Sequence, residues 1–443
     1  MKLKELSEIL KNAGVVGAGG AGFPTYQKLD KKADTIILNC SECEPLFSLH
    51  RLLLEKFPFE ILTALNEIKT AVEAEKVIIA VKSSYTEAIE SVNYHLGAFP
   101  GFEIGALRAF YPVGDEVNLI YEATGRRVPA GSLPISVGTT VFNVETMLNA
   151  YYAISENRPV TSKYVTIGGA VKNPITVLAP LGTSFSELIA LAGGANEKDT
   201  AILSGGVMTG NVSSGSDVVT KTTNAVLVLP KSSPIISKRL VKVNMNLKRA
   251  MSSCCQCRSC TDLCSRHLLG HPIQPHLFMR AAALGMETDT SAILNSAYCS
   301  SCGICENFAC PQGLSPRSLI AEAKAQLRKH KFTMPEPKDY GVDEDRDMKL
   351  LAVSRLTSRL GIAKYDVEAP IVDEAIVPKT IKIKMSQHIG SPSVPCAQKG
   401  DKVKAGDVLG KSAEGLSVCT HASMDGEVLT VTHDYVVLRG AKS

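Results

Sequence analysis

The run Cys254-Cys255-Gln256-Cys257-Arg258-Ser259-Cys260-Thr261-Asp262-Leu263-Cys264 reads CxxCxxCxxxC, and Cys299 to Cys310 repeats it as CxxCxxCxxxxC with Pro311 next. Two-residue spacers let three thiolates converge on one face of a cuboidal iron–sulfur cluster, the fourth ligand coming from the other half of the pseudo-repeat. The spacing therefore predicts two [4Fe–4S] clusters, one on Cys254, Cys257, Cys260 and Cys310, the other on Cys299, Cys302, Cys305 and Cys264. Structural zinc is the competing reading, because CxxC pairs also serve tetrahedral sites. The second run has one extra residue before its last cysteine, and Ser265 rather than proline follows Cys264; neither change removes a ligand. Cys255, Cys396 and Cys419 read as bystander or packed thiols.

The rest of the chain gives those cysteines a setting. With 443 residues it exceeds what one core organises, and 45% hydrophobic with 21% charged residues is ordinary globular composition. Lys and Arg number 48 against 44 Asp and Glu, a net charge of +4 that reads as spread along the chain, without the clustering a nucleic-acid footprint needs. No apolar run reaches the roughly 18 to 20 residues that cross a bilayer. The start, Met1-Lys2-Leu3-Lys4-Glu5-Leu6, lacks a continuous apolar core, so the chain reads as cytoplasmic. Leu3, Leu6, Ile9 and Leu10 then fall at helical spacing. Thirteen cysteines in such a context argue for metal-binding thiolates over disulfides.

Residues 1–157 alternate helices with short apolar strands such as Thr35-Ile36-Ile37-Leu38 and Val77-Ile78-Ile79-Ala80-Val81, an α/β pattern. Residues 158–235 hold β-rich stretches, Tyr164 to Val171 and Ala225 to Leu229, around one helix with capping-box spacing at Ser184 and Glu187 and a closing Gly193. Residues 236–335 are cysteine-rich and helical, with Ser315-Pro316 opening a last helix. The charged, proline-containing residues 334–339 open a linker over 336–375, and 376–443 alternate apolar and polar positions between turns, as in a compact all-β module.

A second motif lies near the start. Gly17-Ala18-Gly19-Gly20-Ala21-Gly22-Phe23-Pro24-Thr25 places four glycines within six positions, with Lys28 following, so backbone N–H groups can approach a phosphate. The strand ending at Leu38 runs into Asn39-Cys40-Ser41-Glu42-Cys43-Glu44-Pro45, and strand ends are where α/β sheets bind ligands. Gly114-Asp115-Glu116 and Phe142-Asn143-Val144-Glu145-Thr146 are further polar sets, for each of which a solvated surface position is an equal reading.

Taken in order, these motifs resemble the family of RnfC and the flavin-bearing subunit of respiratory complex I, whose GGAGFPT loop cradles FMN. The likeness to the cobalamin reductases of propanediol-utilising microcompartments runs through essentially the whole chain, including Ala123-Thr124-Gly125-Arg126-Arg127-Val128-Pro129, Arg266-His267-Leu268-Leu269-Gly270-His271 and Gln387-His388-Ile389-Gly390. The resemblance implies a multidomain α/β and α+β protein: a Rossmann-like α/β flavin domain, an SLBB β-grasp module, a helical ferredoxin-type dicluster domain and a C-terminal barrel-sandwich hybrid. It implies that Gly17, Gly19, Gly20, Gly22, Lys28, Asn39, Glu42, Asn143 and Thr146 contact FMN, and that Phe23, Glu44 and Glu116 meet NADH. Phe142 replaces the usual first Asn of the flavin segment. The tail is similar to lipoyl domains but has Ser423-Met424-Asp425-Gly426 where a modified lysine would stand, so no lipoate or biotin is expected.

NADH delivers two electrons as hydride whereas corrinoid cobalt and iron–sulfur clusters take one at a time, and a flavin converts between them. No general acid or nucleophile is required. The resemblance thus implies an NADH-dependent oxidoreductase that passes electrons through FMN and two [4Fe–4S] clusters to cobalamin. Its partners would be a corrinoid-bearing enzyme, a corrinoid adenosyltransferase or another redox protein, in association with a microcompartment. The alternative is an RnfC-like relay or docking subunit without NADH oxidation of its own. His267, His271 and His276, beside the first cysteine run, read as packing or hydrogen-bonding residues.

Overall fold

The computed structural model describes residues 1–285, 289–334, 336–374 and 376–440; Pro335, within the charged proline-containing stretch, and Ala375, at the expected end of the linker, lie outside them. The β-branched runs at Thr35 and Val77 form the centre of a four-stranded, fully parallel sheet, in the spatial order Phe102–Leu107, Lys76–Lys82, Thr35–Cys40, Thr139–Asn143. Side chains alternate across a strand. Ile36, Leu38 and Cys40 accordingly enter one core with Leu6, Leu10, Leu65 and Leu148, from helices Leu3–Asn12, Pro58–Val72 and Val144–Glu156. Ile37 points the other way, into a second core with Val117, Leu119 and Ile120 of helix Glu116–Thr124. Phe142 is packed in the first core, 3% exposed.

The chain winds outward from Thr35–Cys40 through two strands and then returns to its opposite side at Thr139. The carboxyl ends of these two strands therefore flank a topological switch point, where α/β sheets leave a crevice. Asn39 and Asn143 are register partners there.

The β-grasp unit is a six-stranded mixed sheet in the order Ile371–Val372, Ile175–Pro180, Ser162–Gly169, Ala225–Pro230, Thr200–Ser204, Asn211–Ser213. Its helix Phe185–Leu191 has the expected reciprocal capping box between Ser184 and Glu187. The cysteine unit packs helices Val243–Ser253, Pro275–Leu284 and Pro316–Lys329 around Ala250, Phe278, Leu319 and Ile320. Ser315 occupies the N-cap of the last helix without a capping bond of its own; the Glu306 carboxylate takes the Ser318 N–H instead, at 2.9 Å. Two small antiparallel sheets over Thr380–Gly440 enclose Ile381, Ile383, Leu409, Val428 and Leu438.

The segment expected as a linker is instead threaded back through the earlier units. Leu351–Ala352 pairs with Phe110–Tyr111, and Ile371–Val372 becomes the edge strand of the β-grasp sheet. Two-residue strands carry no readable period, and the apolar gain lies in Leu351, Leu356, Leu360 and Ile362, all buried.

Three units meet at Lys221. Its ammonium donates to the carbonyls of Gly14 (2.7 Å) and Cys419 (3.1 Å), and its backbone N–H donates to Gln387 Oε1. The side chain is fully buried, which pushes its pKa from 10.5 down to about 7. A folded value below the ordinary one means this group's stability contribution is complete above about 10.5 and is lost as pH falls toward about 7. In denaturant unfolding, the wild type is expected to gain stability between those pH values relative to Lys221→Met; parallel curves for the two proteins would contradict this.

Candidate functional site

At the switch point a cleft of about 500 Å³ opens between the parallel sheet and the β-grasp unit. The sheet side contributes Gly19, Gly20, Asn39, Ser41, Glu42, Glu44, Gly114 and Asn143. Asn39 Nδ2 donates to the Gly114 carbonyl at 3.0 Å while its Oδ1 accepts from Ser41 N–H and hydroxyl, so the strand end is fixed to the Gly114 turn. Asn143 N-caps helix Val144–Glu156, accepting from Glu145 N (3.0 Å) and Thr146 N (3.3 Å), and its Nδ2 donates to His50 Nε2 at 2.8 Å. Burial lowers the His50 pKa below its usual 6.5, consistent with a neutral acceptor ring. The helix's positive end points at the glycine loop, and Ala18 N donates to Thr146 Oγ1 at 2.9 Å.

The loop itself has room for a ligand. A Cβ on Gly19 would stand 2.7 Å from Asn143 Nδ2, whereas Gly20, at φ +117°, faces open space. Glu42, only 7% exposed, keeps one carboxylate oxygen without a hydrogen-bond partner, and Asn224 Oδ1 on the facing wall is also unpartnered. Orphaned acceptors in a polar cleft call for N–H or O–H donors from a bound molecule. FMN has a ring N–H, ribityl hydroxyls and a phosphate for the loop and helix end, so these residues fit it.

Of the residues expected at FMN and NADH, Gly19, Gly20, Asn39, Glu42, Glu44 and Asn143 line the cleft, and the others lie outside its lining. Gly17 closes the loop by donating to the Phe23 carbonyl at 2.9 Å. Gly22 packs against Thr222 and His388. Thr146 buttresses the loop from beneath. Lys28 and Glu116, expected at FMN and NADH respectively, engage each other at 3.1 Å, with Lys28 also donating to the Val141 carbonyl. Glu44 turns toward the β-grasp unit, accepting from Met208 N (2.9 Å) and Thr209 Oγ1 (2.6 Å), and burial raises its pKa.

The second wall was not anticipated. It comes from Ser204-Gly205-Gly206, Thr209-Gly210-Asn211, Thr220 and Thr222-Thr223-Asn224. Its signals are a glycine-rich turn directly after a strand and a run of hydroxyl residues, both unremarkable until the fold sets them opposite the first loop.

The cysteines are gathered across the two halves of their repeat. Cys254, Cys257, Cys260 and Cys310 line one cavity with His276 and Met279. Burial and the neighbours Cys257, Cys310 and Cys254 push the Cys260 thiol up to about 12. Cys305 is raised by burial and then by Cys299, Cys302 and, less, Cys264, while burial pushes Cys302 up to about 11. Both turns use the same backbone: Gln256 and Arg258 in one, Ser301 and Gly303 in the other, have positive φ at equivalent positions. Three of these four are not glycine, so each turn holds strained residues of the kind that functional sites retain. N–H groups also reach sulfur, from Ser301 to Cys299 (3.3 Å) and from Leu314 to Cys310 (3.4 Å). Among the described residues no three His, Cys, Asp or Glu side chains meet closely enough to hold a single ion. All-thiol sets of four, with N–H donors to sulfur, fit cubane clusters in their donor chemistry.

One layer of residues behind the lining joins the cleft to the Cys302 turn. Tyr111, 2% exposed, donates its hydroxyl to the Cys302 carbonyl at 2.6 Å. Arg266, two residues from Cys264, donates to Asp115 at 2.6 Å, beside the cleft residue Gly114. Met208, held by Glu44 on one side, receives Asn307 Nδ2 at its sulfur on the other.

Four known domain families match along this chain: the Nuo51 FMN-binding domain over residues 10–152, the SLBB domain over 164–212, the 4Fe-4S dicluster domain over 253–315 and the RnfC barrel sandwich hybrid domain over 361–442. Fold, cleft and cysteine sets together define an electron-transfer protein with an FMN-binding and a 4Fe-4S dicluster domain. The chain belongs to the family of the cobalamin reductase PduS. It is 39% identical to that protein from Citrobacter freundii over 98% of this chain and 96% of the relative, and 38% identical to the Salmonella typhimurium protein over 98% and 97%. It is also 34% identical to one component of the Na(+)-translocating ferredoxin:NAD(+) oxidoreductase complex of Acetobacterium woodii, over 60% of this chain and 59% of that relative. No helix among the described residues is long and apolar enough to cross a membrane.

Because a Cβ at position 19 would press on Asn143, Gly19→Val is expected to weaken FMN binding at least about tenfold, roughly 1.4 kcal/mol. Titrating FMN fluorescence into apoprotein reads this directly; unchanged affinity with native circular dichroism would contradict the placement.

Proposed function

We propose that this protein is an NADH-dependent reductase that passes electrons through FMN and two [4Fe–4S] clusters to a corrinoid serving a B12-dependent enzyme. The observation that carries this is the short link between the cleft and the Cys302 turn, in which Glu44 of the lining holds Met208, Met208 receives Asn307, and Tyr111 donates to the Cys302 carbonyl; it sets a two-electron site beside a one-electron site. FMN, when bound, supplies the exchange between a hydride's electron pair and single electrons.

Gly19, Gly20, Asn39, Glu42 and Asn143 hold FMN in this reading, with Thr146 fixing the loop and the helix end drawing the phosphate. Cys264, Cys299, Cys302 and Cys305 hold the cluster next to the cleft; Cys254, Cys257, Cys260 and Cys310 hold the outer one. Tyr111 and the Asp115–Arg266 pair keep the inner set against the cleft. The Arg266 guanidinium lies near Cys302 and Cys264 with its charge balanced by Asp115. Ser204 to Asn211 and Thr220 to Asn224 close the cleft from the β-grasp side and limit water. The acceptor in this reading is carried by a corrinoid enzyme or a corrinoid adenosyltransferase, and the protein works beside it in a microcompartment; the cobalamin reductase name of the PduS relatives supports the corrinoid.

One observation favours a second reading, an RnfC-like relay without NADH oxidation of its own. Glu44 and Glu116, the carboxylates expected at the nicotinamide nucleotide, both have partners within the protein. The two readings separate in one anaerobic experiment. Protein reconstituted with FMN and about eight irons per chain, as two cubanes require, is mixed with NADH and then with cob(III)alamin. Bleaching of flavin and cluster absorbance that the corrinoid reverses is the expected result. Absence of bleaching by NADH would leave the relay reading standing and sink the reductase.

A further inference from the structure

The near-neutral charge of the whole chain conceals an uneven distribution. Residues 236–334 hold thirteen Lys and Arg against five Asp and Glu, a net of +8 where the whole chain carries +4, which corrects the even spread expected from composition. Between Ile236 and Thr261 there are six basic residues and no acidic one. Lys238 and Arg239 are used inside the fold, donating to the carbonyls of Glu306, Gly210 and Val207. Lys242, Lys248, Arg249 and Arg258 remain exposed. Arg258 meets Asp262 at 3.1 Å; among the described residues the other three form no ion pair.

Helical geometry sorts this stretch. In helix Val243–Ser253, Asn246 and Ala250 are buried, so Met245, Lys248, Arg249 and Ser252, spaced i, i+3, i+4 and i+7, share the outward face. Met245 is 51% and Met251 59% exposed. The helix ends at Cys254, its C-cap, and the cavity of the outer cysteine set is bordered by Gln256, Arg258 and Gln312, all exposed. Cys257 itself is exposed, whereas Cys305 of the inner set is buried. In the electron-carrier reading the outer set is where electrons leave the fold; Arg258 borders its cavity, and the helix that carries Met245, Lys248, Arg249 and Met251 leads into it at Cys254.

We propose that this face, carried by Met245, Lys248, Arg249, Met251 and Arg258, is the docking site for a one-electron redox protein that presents an acidic surface. The proposal rests on the electron-carrier reading above. Charge complementarity steers encounter and orients the partner, while flexible methionines adapt to a transient contact. A redox protein suits this face better than a nucleic acid because the helix that carries it runs into a four-thiol cavity.

The test uses the reconstituted holoprotein reduced with dithionite, so it does not depend on NADH. The reduced protein is mixed in a stopped-flow instrument with oxidised cytochrome b5, an acidic haem protein, or cytochrome c, a basic one. The expected result is faster oxidation by cytochrome b5 at low salt, falling about tenfold or more as ionic strength rises from about 0.01 M to about 0.3 M. Lys248→Glu combined with Arg249→Glu is expected to slow cytochrome b5 about tenfold and to speed cytochrome c. A second readout needs no turnover: carbodiimide should join cytochrome b5 carboxylates to Lys242 or Lys248, mapped by mass spectrometry. Equal rates with both haem proteins, no salt dependence, cross-links confined to other lysines, or retention of duplex DNA without a cross-link to cytochrome b5 would each overturn the proposal. Failure of the reductase reading would appear separately, as absence of reduction by NADH.

Discussion

The arrangement depends on one constraint: electrons move between centres only across short distances, so the cleft and the inner cysteine set must be built close to each other. The contacts of Tyr111 with the Cys302 carbonyl and of Met208 with Glu44 and Asn307 meet that constraint, with Tyr111 and Met208 buried between the two sites. Glu44 illustrates the cost and the gain. Its carboxylate is taken out of water, which raises its pKa, and two hydrogen bonds from the Met208 turn offset the loss. The result is a wall shared between the cleft and the inner cysteines.

Each neighbouring unit then serves this core. The parallel sheet supplies the crevice because its winding reverses between Thr35–Cys40 and Thr139–Asn143. The β-grasp unit supplies the second wall, and its Lys221 ties that wall to Gly14 and Cys419. The returning segment at Leu351–Ala352 braces Phe110–Tyr111, the strand that carries the tyrosine to Cys302. Polar and charged groups at these junctions are paired with backbone carbonyls more often than with opposite charges, a fixed geometry rather than a strong electrostatic bond.

The cysteine sets were legible because ligand spacing is local and the chemistry of a cubane restricts it. The exchange of Cys264 and Cys310 between halves followed from the same pattern; Cys310 lines one cavity with Cys254, Cys257 and Cys260, and Cys264 lies near Cys299, Cys302 and Cys305. The sheet was legible from β-branched runs, and Asn39 and Asn143 from their place at strand ends. The pairing of Lys28 with Glu116 was not legible, since they lie 88 residues apart and Lys28 is also held by the Val141 carbonyl of a third segment. The wall at Ser204 to Asn224 was hidden because it belongs to another unit. The basic face was hidden by a charge total that averages over units of opposite sign.

The account's central claim is an order, cleft to inner cysteines to outer cysteines, and cluster-specific variants test it most directly. Reconstituted Cys260→Ser and Cys305→Ser proteins would be reduced with NADH, frozen, and read by electron paramagnetic resonance. The account predicts that Cys260→Ser still reduces its remaining cluster at the wild-type rate, whereas Cys305→Ser reduces its flavin but leaves the outer cluster oxidised. Prompt reduction of the outer cluster in Cys305→Ser would contradict the order.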